Sequence, residues 1–335
     1  MGLGRSGWDI HANTIAEHDR FAVVAVSDPV AERREEAVTR FGCEAYAESH
    51  EVARDPNVDL VVVATPSDTH AALATASLDA GRHVVVEKPM ARDVGEMDAM
   101  IEAAARSKHL LSCFQPSRFA PVYLAICDLL REERIGRVVH IRHGSYGFQR
   151  RTDWQMLRRF NGGELSNTGP HLIDQMLPLL GSDEIELFAD LQHTIGAGDA
   201  EDHVKLVLKP AGGPVAEIEI SRCWVFAQPE WIICGTLGGI EADRNTVRVK
   251  WLDPATLGEL TLDEGPPAGR KYGSGEQLAW QEETLTPEQQ RRPFEMYYDR
   301  LYTALTGGGP NPATPESVRT QIDLIARARK MTGLL

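Results

Sequence analysis

Three groups of residues in this 335-residue chain have the types and spacing that chemistry requires. Gly2, Gly4 and Gly7 in MGLGRSG follow G-x-G-x-x-G, where a strand turns into a helix whose first amides face a pyrophosphate; Arg5 and Ser6 complete that turn. Asp28 closes the run FAVVAVSD 21 positions after Gly7, close to the spacing at which a carboxylate meets the adenine ribose hydroxyls. A carboxylate there repels a 2′-phosphate, so NAD is favoured over NADP; Asp28 also fits a cap on the helix after SDP, and Arg33 and Arg34 read as solvent-facing. The third group is ATPSDTH and EKP, each ending a Val-rich run. Thr65, Pro66, His70, Glu87, Lys88 and Pro89 therefore emerge at carboxyl ends of strands, where open α/β sheets bind ligands. Lys88 follows an apolar strand by two positions and is costly to bury without a task, though a solvated lysine at a strand end is the bland alternative.

The elements around these residues alternate. Helices are expected over 8–19, 30–41 and 93–107 and one ending at Gly81, with strands at 21–28, 43–46, 58–66, 83–89 and 110–114. The Val-rich runs are continuous, as in parallel strands covered on both faces, and strands alternating with helices define a doubly wound sheet. In that topology a central first strand precedes the glycines, whereas only Met1 does so here; its neighbours at 21–28 and 58–64 are then expected to bury unpaired backbone groups. The simplest expectation is that the native protein begins several residues upstream, with a shortened fold as the alternative.

Beyond about residue 116 the strands alternate in polarity, as in EDHVKLVLK, VAEIEISRCWV and NTVRVKWL, which suits antiparallel strands with one covered face. Residues 253–292 read as a long Gly, Pro, Glu and Gln-rich excursion before two closing helices, the second opening with Thr314, Pro315 and Glu316 as cap, N1 proline and acidic first turn. The fold class is α/β: residues 1–116 form a Rossmann domain and residues 117–335 an α+β domain, with the C-terminal helices able to pack back on the first.

A net charge of −14 opposes a general nucleic-acid binder, and no apolar run is long enough to span a bilayer. Five scattered cysteines without a C-x-x-C pair, and a start lacking an apolar leader, suit a cytoplasmic protein with free thiols. MGLGRS also matches an acylation pattern, but the phosphate turn explains Gly2 better. No metal set is expected, since His140 and His143 fall on opposite faces of a strand, and His171 with Asp174 is incomplete.

TPSDTH, VVVEKPMA, GGELSNTGPHLIDQMLPLLG and LYTALTGGGPNPATPESVR, with the glycine turn, resemble the Gfo/Idh/MocA oxidoreductases in the right order over nearly the whole chain. E-K-P and G-x-H-x-x-D together make the resemblance specific. It implies a Rossmann domain followed by a large, mostly antiparallel sheet that commonly mediates oligomers, here a homodimer or homotetramer. It places Lys88 beside the nicotinamide and the reacting hydroxyl, and matches its D-x-x-x-H pair to Asn167 and His171. Gly169 and Pro170 start a helix, so its dipole keeps His171 a neutral base. Asn167 departs from the usual Asp and cannot stabilise an imidazolium by charge. Either it binds a substrate hydroxyl while His171 serves as acid/base, the preferred reading, or Lys88 carries more of the proton transfer.

Lys88 and His171 are thus the expected catalytic pair. Asn167, Asp174, Arg118, Trp154 and Tyr146 are expected at the substrate, and Gln115 joins Gly2, Gly4, Arg5, Ser6, Gly7, Asp28, Thr65, Pro66, His70, Glu87 and Lys88 at the cofactor. Asp174 fits equally a helix-start carboxylate or an orienter of His171. The loop YGFQRRTDWQMLRRF is the expected specificity segment, with Gln155 and with Arg150 and Arg151 as candidate holders of hydroxyls or a carboxylate. The expected activity is NAD-dependent hydride transfer at a secondary alcohol or ketone of a sugar, polyol or related hydroxy compound. An NAD-dependent glycosidase working by transient oxidation and a non-catalytic dinucleotide-binding relative are the alternatives.

Overall fold

The computed structural model describes all residues except 183, 263, 266–272, 274, 275, 289, 290, 334 and 335. Five short strands lie in the first half: β1 (Ala25–Ser27), β2 (Glu44–Tyr46), β3 (Leu60–Val63), β4 (His83–Val86) and β5 (Leu111–Cys113). All pair in parallel, but in two sheets, β1-β2 and β3-β4-β5. The connecting helices are α1 (Asn13–Ala16), α2 (Ala31–Phe41), α3 (Ser49–Arg54), α4 (His70–Asp79) and α5 (Val94–Ser107), with a π-helical stretch Ser6–Ala12 leading into α1. Val84, Val85 and Val86 are fully buried, as strands covered on both faces must be.

The first residues stand between the two sheets. The Met1 α-amino group donates to Val62 O at 2.8 Å, Ala64 N donates to Met1 O at 3.0 Å, and Gly2 N donates to Ser27 O at 2.8 Å. These bonds join the sheets at their carboxyl ends. Behind them lies an apolar cavity of about 90 Å³ between Ala22–Val26 and Val58–Val62. The strand expected over 21–28 shortens to Ala25–Ser27 because no neighbouring strand completes a ladder on its inner side, and Val24 is exposed.

The second half is built on an eight-stranded sheet: β6 (Val138–Tyr146), β7 (Ile185–Gln192), β8 (His203–Pro210), β9 (Val215–Ser221), β10 (Trp231–Gly235), β11 (Gly238–Ala242), β12 (Val247–Trp251) and β13 (Gln281–Leu285). Its order is β13-β12-β11-β10-β6-β9-β8-β7, antiparallel except for β6 with β9. The helices α6 (Pro121–Arg131), α7 (Glu164–Asn167) and α8 (Gly169–Leu180) belong to this half. Leu172, Ile173 and Met176 of α8 share one core with Ile141, Leu206, Ile218 and Ile233 of the sheet. The opposite sheet face is polar and charged, with Lys205 bridging Glu217. β13 sits inside the stretch read as an excursion, where Gln-Glu-Glu-Thr-Leu gave no alternating apolar signal.

Two closing helices return to the first half. Tyr297, Tyr298 and Leu301 of α9 (Pro293–Leu305) are fully buried in the Rossmann core. The helix α10 (Pro315–Thr332) places Val318 and Ile322 in that core and Leu324, Ile325 and Ala328 in the core under the large sheet. One helix thus fixes the two halves together.

Candidate active site

The glycine turn is a close-packed device. A Cβ on Gly7 would sit 1.9 Å from Gly2 O, and one on Gly2, at φ +80°, would sit 2.7 Å from Ala64 O. A Cβ on Gly4 would meet nothing within 4 Å, so the middle of the turn faces open space where a phosphate can approach the backbone. Arg5 is exposed beside it, and Ser6 opens the helix. Asp28 is buried: Oδ2 accepts from Leu3 N at 2.8 Å and Oδ1 from Val30 N at 2.9 Å, with Arg33 at 3.4 Å and Arg34 on its backbone carbonyl at 2.7 Å. The carboxylate therefore locks the turn and caps the start of α2.

At the ends of β3 and β4 the structure divides the expected cofactor set. Thr65 Oγ1 bonds Thr69 Oγ1 at 2.7 Å, and Pro66 is exposed at the start of the turn. His70 instead is buried, with both ring nitrogens 2.9 Å from the carbonyls of Thr65 and Pro89. It braces the two strand ends and has no nitrogen left for a ligand. Glu87 is likewise turned inward: Oε1 meets His11 Nε2 at 3.1 Å and Oε2 accepts from Lys88 N at 3.0 Å. These contacts turn the carboxylate into the protein interior, against the expectation that it meets the cofactor.

Lys88 crosses to the second half, where its Nζ donates to Asn167 O at 2.9 Å. Burial pushes its ammonium below the usual lysine range; Glu87 and Glu164 oppose this, while Arg5 and Arg151 add to it. Beside it, Asn167 Nδ2 and His171 Nδ1 are buried without partners among the described residues. Orphaned donors and acceptors at one place point to a missing ligand, since each costs on the order of 1 to 3 kcal/mol if left unpaired. His171 sits at the third position of α8, and burial, with the Lys88 charge, lowers its imidazole to about 3, leaving it a neutral base.

The short helix α7 is held by a network that sequence reasoning missed. Gly163, at φ +100°, packs so closely that a Cβ would lie 2.1 Å from the Glu201 carboxylate. Glu164 is buried and receives Arg222 at 2.7 Å, Arg151 at 3.3 Å and Thr168 Oγ1 at 2.5 Å. Arg329 of α10 donates to Gly162 O at 3.2 Å and Ser166 Oγ at 2.6 Å. The pair of glycines before Glu164 was the available local signal; its two arginine partners lie 13 and 58 residues away.

Three expected substrate residues are placed elsewhere. Asp174 is buried and bound to Arg118 by two hydrogen bonds of 2.8 and 2.6 Å, while Arg118 also reaches Pro312 O and Ser317 Oγ. This pair ties α8 to the segment before α10 and leaves neither charge for a substrate. Tyr146 lies on the sheet face opposite His143, which bonds Gln175 of α8; its hydroxyl donates to Glu219 and its ring meets Trp224. Period-two alternation along β6 sends it away from α8. Trp154 is half-exposed, edge-on to Phe160 in the loop, and Arg151 is held by Asp153, Gln155 and Glu164. Gln115 is buried, with Nε2 near Pro170 O and Gln321, and its Oε1 unpartnered.

The residues present fit a dinucleotide: an open glycine turn, an exposed arginine beside it, and polar atoms unpartnered among the described residues where the reactive end would lie. A Rossmann half with a lysine at a strand end, joined to a half in which a helix packed on a large sheet supplies a histidine, defines a class of two-part nicotinamide oxidoreductases. Residues 1–114 match the family model of the oxidoreductase family with an NAD-binding Rossmann fold, and residues 123–241 match the GFO/IDH/MocA C-terminal domain. The chain belongs to the Gfo/Idh/MocA oxidoreductase family.

Among its relatives is a myo-inositol 2-dehydrogenase of Thermotoga maritima, 29% identical over 249 residues, covering 72% of this chain and 74% of the relative. An uncharacterized oxidoreductase of Escherichia coli, YdgJ, is 28% identical over 97% of this chain and 93% of its own. A solved NAD-binding protein from Listeria innocua shares the fold with a TM-score of 0.83 at 24% identity, covering 99% of this chain and 96% of that one. Among the described residues no helix is long and apolar enough to cross a membrane.

Proposed function

We propose that the protein is an NAD-dependent dehydrogenase or reductase acting on a secondary alcohol or ketone of a sugar, an inositol-like polyol or a related hydroxy compound. The observation that carries this reading is the meeting of Lys88 Nζ, bonded to Asn167 O, with the unpartnered Asn167 Nδ2 and His171 Nδ1 between the two halves. The family relationship and the inositol dehydrogenase among the relatives support it.

When bound, the nicotinamide supplies the hydride acceptor or donor. The rest falls to the chain's own side chains. The Lys88 ammonium donates a hydrogen bond to the reacting oxygen and stabilises its negative charge as the hydroxyl proton leaves. His171, neutral through burial, takes that proton in oxidation and returns it in reduction. Asn167 Nδ2 donates to a neighbouring hydroxyl and orients the ring. Burial between α7 and the end of β4 keeps water from competing. Gly4 gives the pyrophosphate access, Asp28 stands at the adenine ribose and favours NAD, and Arg5 and Ser6 complete the turn. Thr65, Pro66 and Gln115 line the approach to the nicotinamide end.

Titrating NADH into the protein by fluorescence, then supplying inositols, aldoses and uronates with NAD, tests this reading. Binding with oxidation of at least one hydroxy compound supports it; binding with no oxidation of any, and no reduction of the matching ketones, overturns it.

A further inference from the structure

The helix behind the glycine turn and the lysine at the end of β4 are joined by a buried chain of hydrogen bonds. Gly7 and His11 are four residues apart on one buried face of the π-helical stretch, so the turn that packs Gly7 under Gly2 also aims His11 inward. His11 Nδ1 meets the Tyr298 hydroxyl at 2.7 Å, and its Nε2 meets Glu87 Oε1 at 3.1 Å; the ring also lies 4.3 Å from that of Phe114. The hydroxyl donating to Nδ1 and Nε2–H donating to Glu87 satisfy all three groups, an assignment made from the hydrogen bonds themselves. The remaining Glu87 oxygen accepts from the backbone of Lys88 at 3.0 Å.

We propose that Glu87 is a positioning residue: braced by His11 and Tyr298, it fixes the backbone of Lys88, sets a buried negative charge beside it and couples the dinucleotide-binding helix to the reactive lysine. This rests on the reading of Lys88 as the group at the reacting oxygen. Burial alone would raise the Glu87 carboxyl, but the His11 hydrogen bond and the Lys88 charge hold it below the usual glutamate range, so it stays charged in the neutral range. The charged or titratable groups acting on Lys88 come from every side: Glu87 on its own strand, Arg5 from the glycine turn, Glu164 from α7, Arg151 from the loop after β6 and His171 from α8. Glu87 is the first of these in its effect on Lys88, and it favours the ammonium that donates to the reacting oxygen.

The test reads Lys88 directly and needs no substrate. The lysines are methylated reductively with ¹³C-formaldehyde, the Lys88 signal is identified by its loss in Lys88→Arg, and its pH titration is followed by NMR with and without NAD. In Glu87→Gln the Lys88 midpoint falls by about one pH unit. Glu87→Asp, which keeps the charge, restores most of it, and His11→Asn shifts it in the same direction as Glu87→Gln. An unchanged midpoint in Glu87→Gln with native circular dichroism overturns the proposal. Should Glu87→Gln fail to fold, Tyr298→Phe removes only the hydroxyl that holds His11; a lowered Lys88 midpoint supports the proposal and an unchanged one overturns it. Because the titration is independent of turnover, a shifted Lys88 in a protein that oxidises nothing would fault the proposed activity and leave the coupling intact.

Discussion

The Lys88 ammonium donates to the backbone carbonyl of Asn167 across 2.9 Å, and this one bond joins the end of a Rossmann strand to the short helix that carries the second half's polar groups. Neither half holds a complete site. On the proposed reading the chemistry takes place where the two meet, so substitutions at the interface between halves should separate binding from turnover.

Lys88→Ala is expected to lower kcat by at least about 100-fold, the scale of a lost proton-handling or charge-stabilising group, while NADH binding changes only a few-fold. Steady-state kinetics beside NADH fluorescence titration checks both halves of that expectation. Loss of NADH binding with no independent loss of kcat would make Lys88 a binding residue only.

Gly4 and Gly7 should part company. Gly4→Ala projects a methyl into open space, so the fold and melting temperature are kept while dinucleotide affinity falls. Gly7→Ala forces a Cβ to within 1.9 Å of Gly2 O and should disrupt the turn itself, lowering the melting temperature as well. Calorimetry with and without NAD distinguishes the two, since a ligand stabilises only a fold that binds it.

Removing Arg118 leaves the buried Asp174 carboxylate unpaired, so Arg118→Ala is expected to destabilise the protein by about 3 to 5 kcal/mol. Replacing both partners, as Arg118→Met with Asp174→Leu, should recover most of this, because the unpaired charge is the cost. Chemical denaturation of the three variants gives the comparison. A large loss of substrate affinity at native stability in Arg118→Ala would return that residue to the substrate.

The buried histidines set an acid limit. His171 titrates near 3 and His143 near 4 in the fold, both lowered first by burial, against 6.5 in an open chain. The unfolded chain therefore binds protons that the fold refuses. This contribution is complete above about pH 6.5 and is lost as the pH falls toward those values, with His171 costing roughly 2 to 3 kcal/mol by pH 4.5. Denaturation curves between pH 7 and 4.5 should show that decline, and His171→Asn should flatten it.

What the sequence made legible follows from locality. Lys88, His171 and the glycines were readable because each sits at the end or start of an element with a strong pattern. Tyr146 was misplaced because a nine-residue strand's alternation decides its face, and the phase of that alternation depends on which side α8 covers. His70 and Glu87 carried the right address but the wrong direction, since side-chain aim depends on partners such as Pro89 O and His11. The Tyr298 to His11 contact spans 287 positions, and nothing local announces it. Strands β11 and β13 escaped for a different reason: short Gly- or Glu-rich segments form strands when neighbours pair with them, not through intrinsic preference.

The most direct test of the central claim is absorbance at the NADH band, recorded for the wild type and Lys88→Ala with NAD and a panel of inositols, aldoses, uronates and aryl glycosides. The predicted result is NADH accumulation with at least one sugar or polyol in the wild type and none in Lys88→Ala. A wild type that binds NADH yet oxidises no panel member and reduces no corresponding ketone, or a Lys88→Ala protein that turns over as fast, would contradict it.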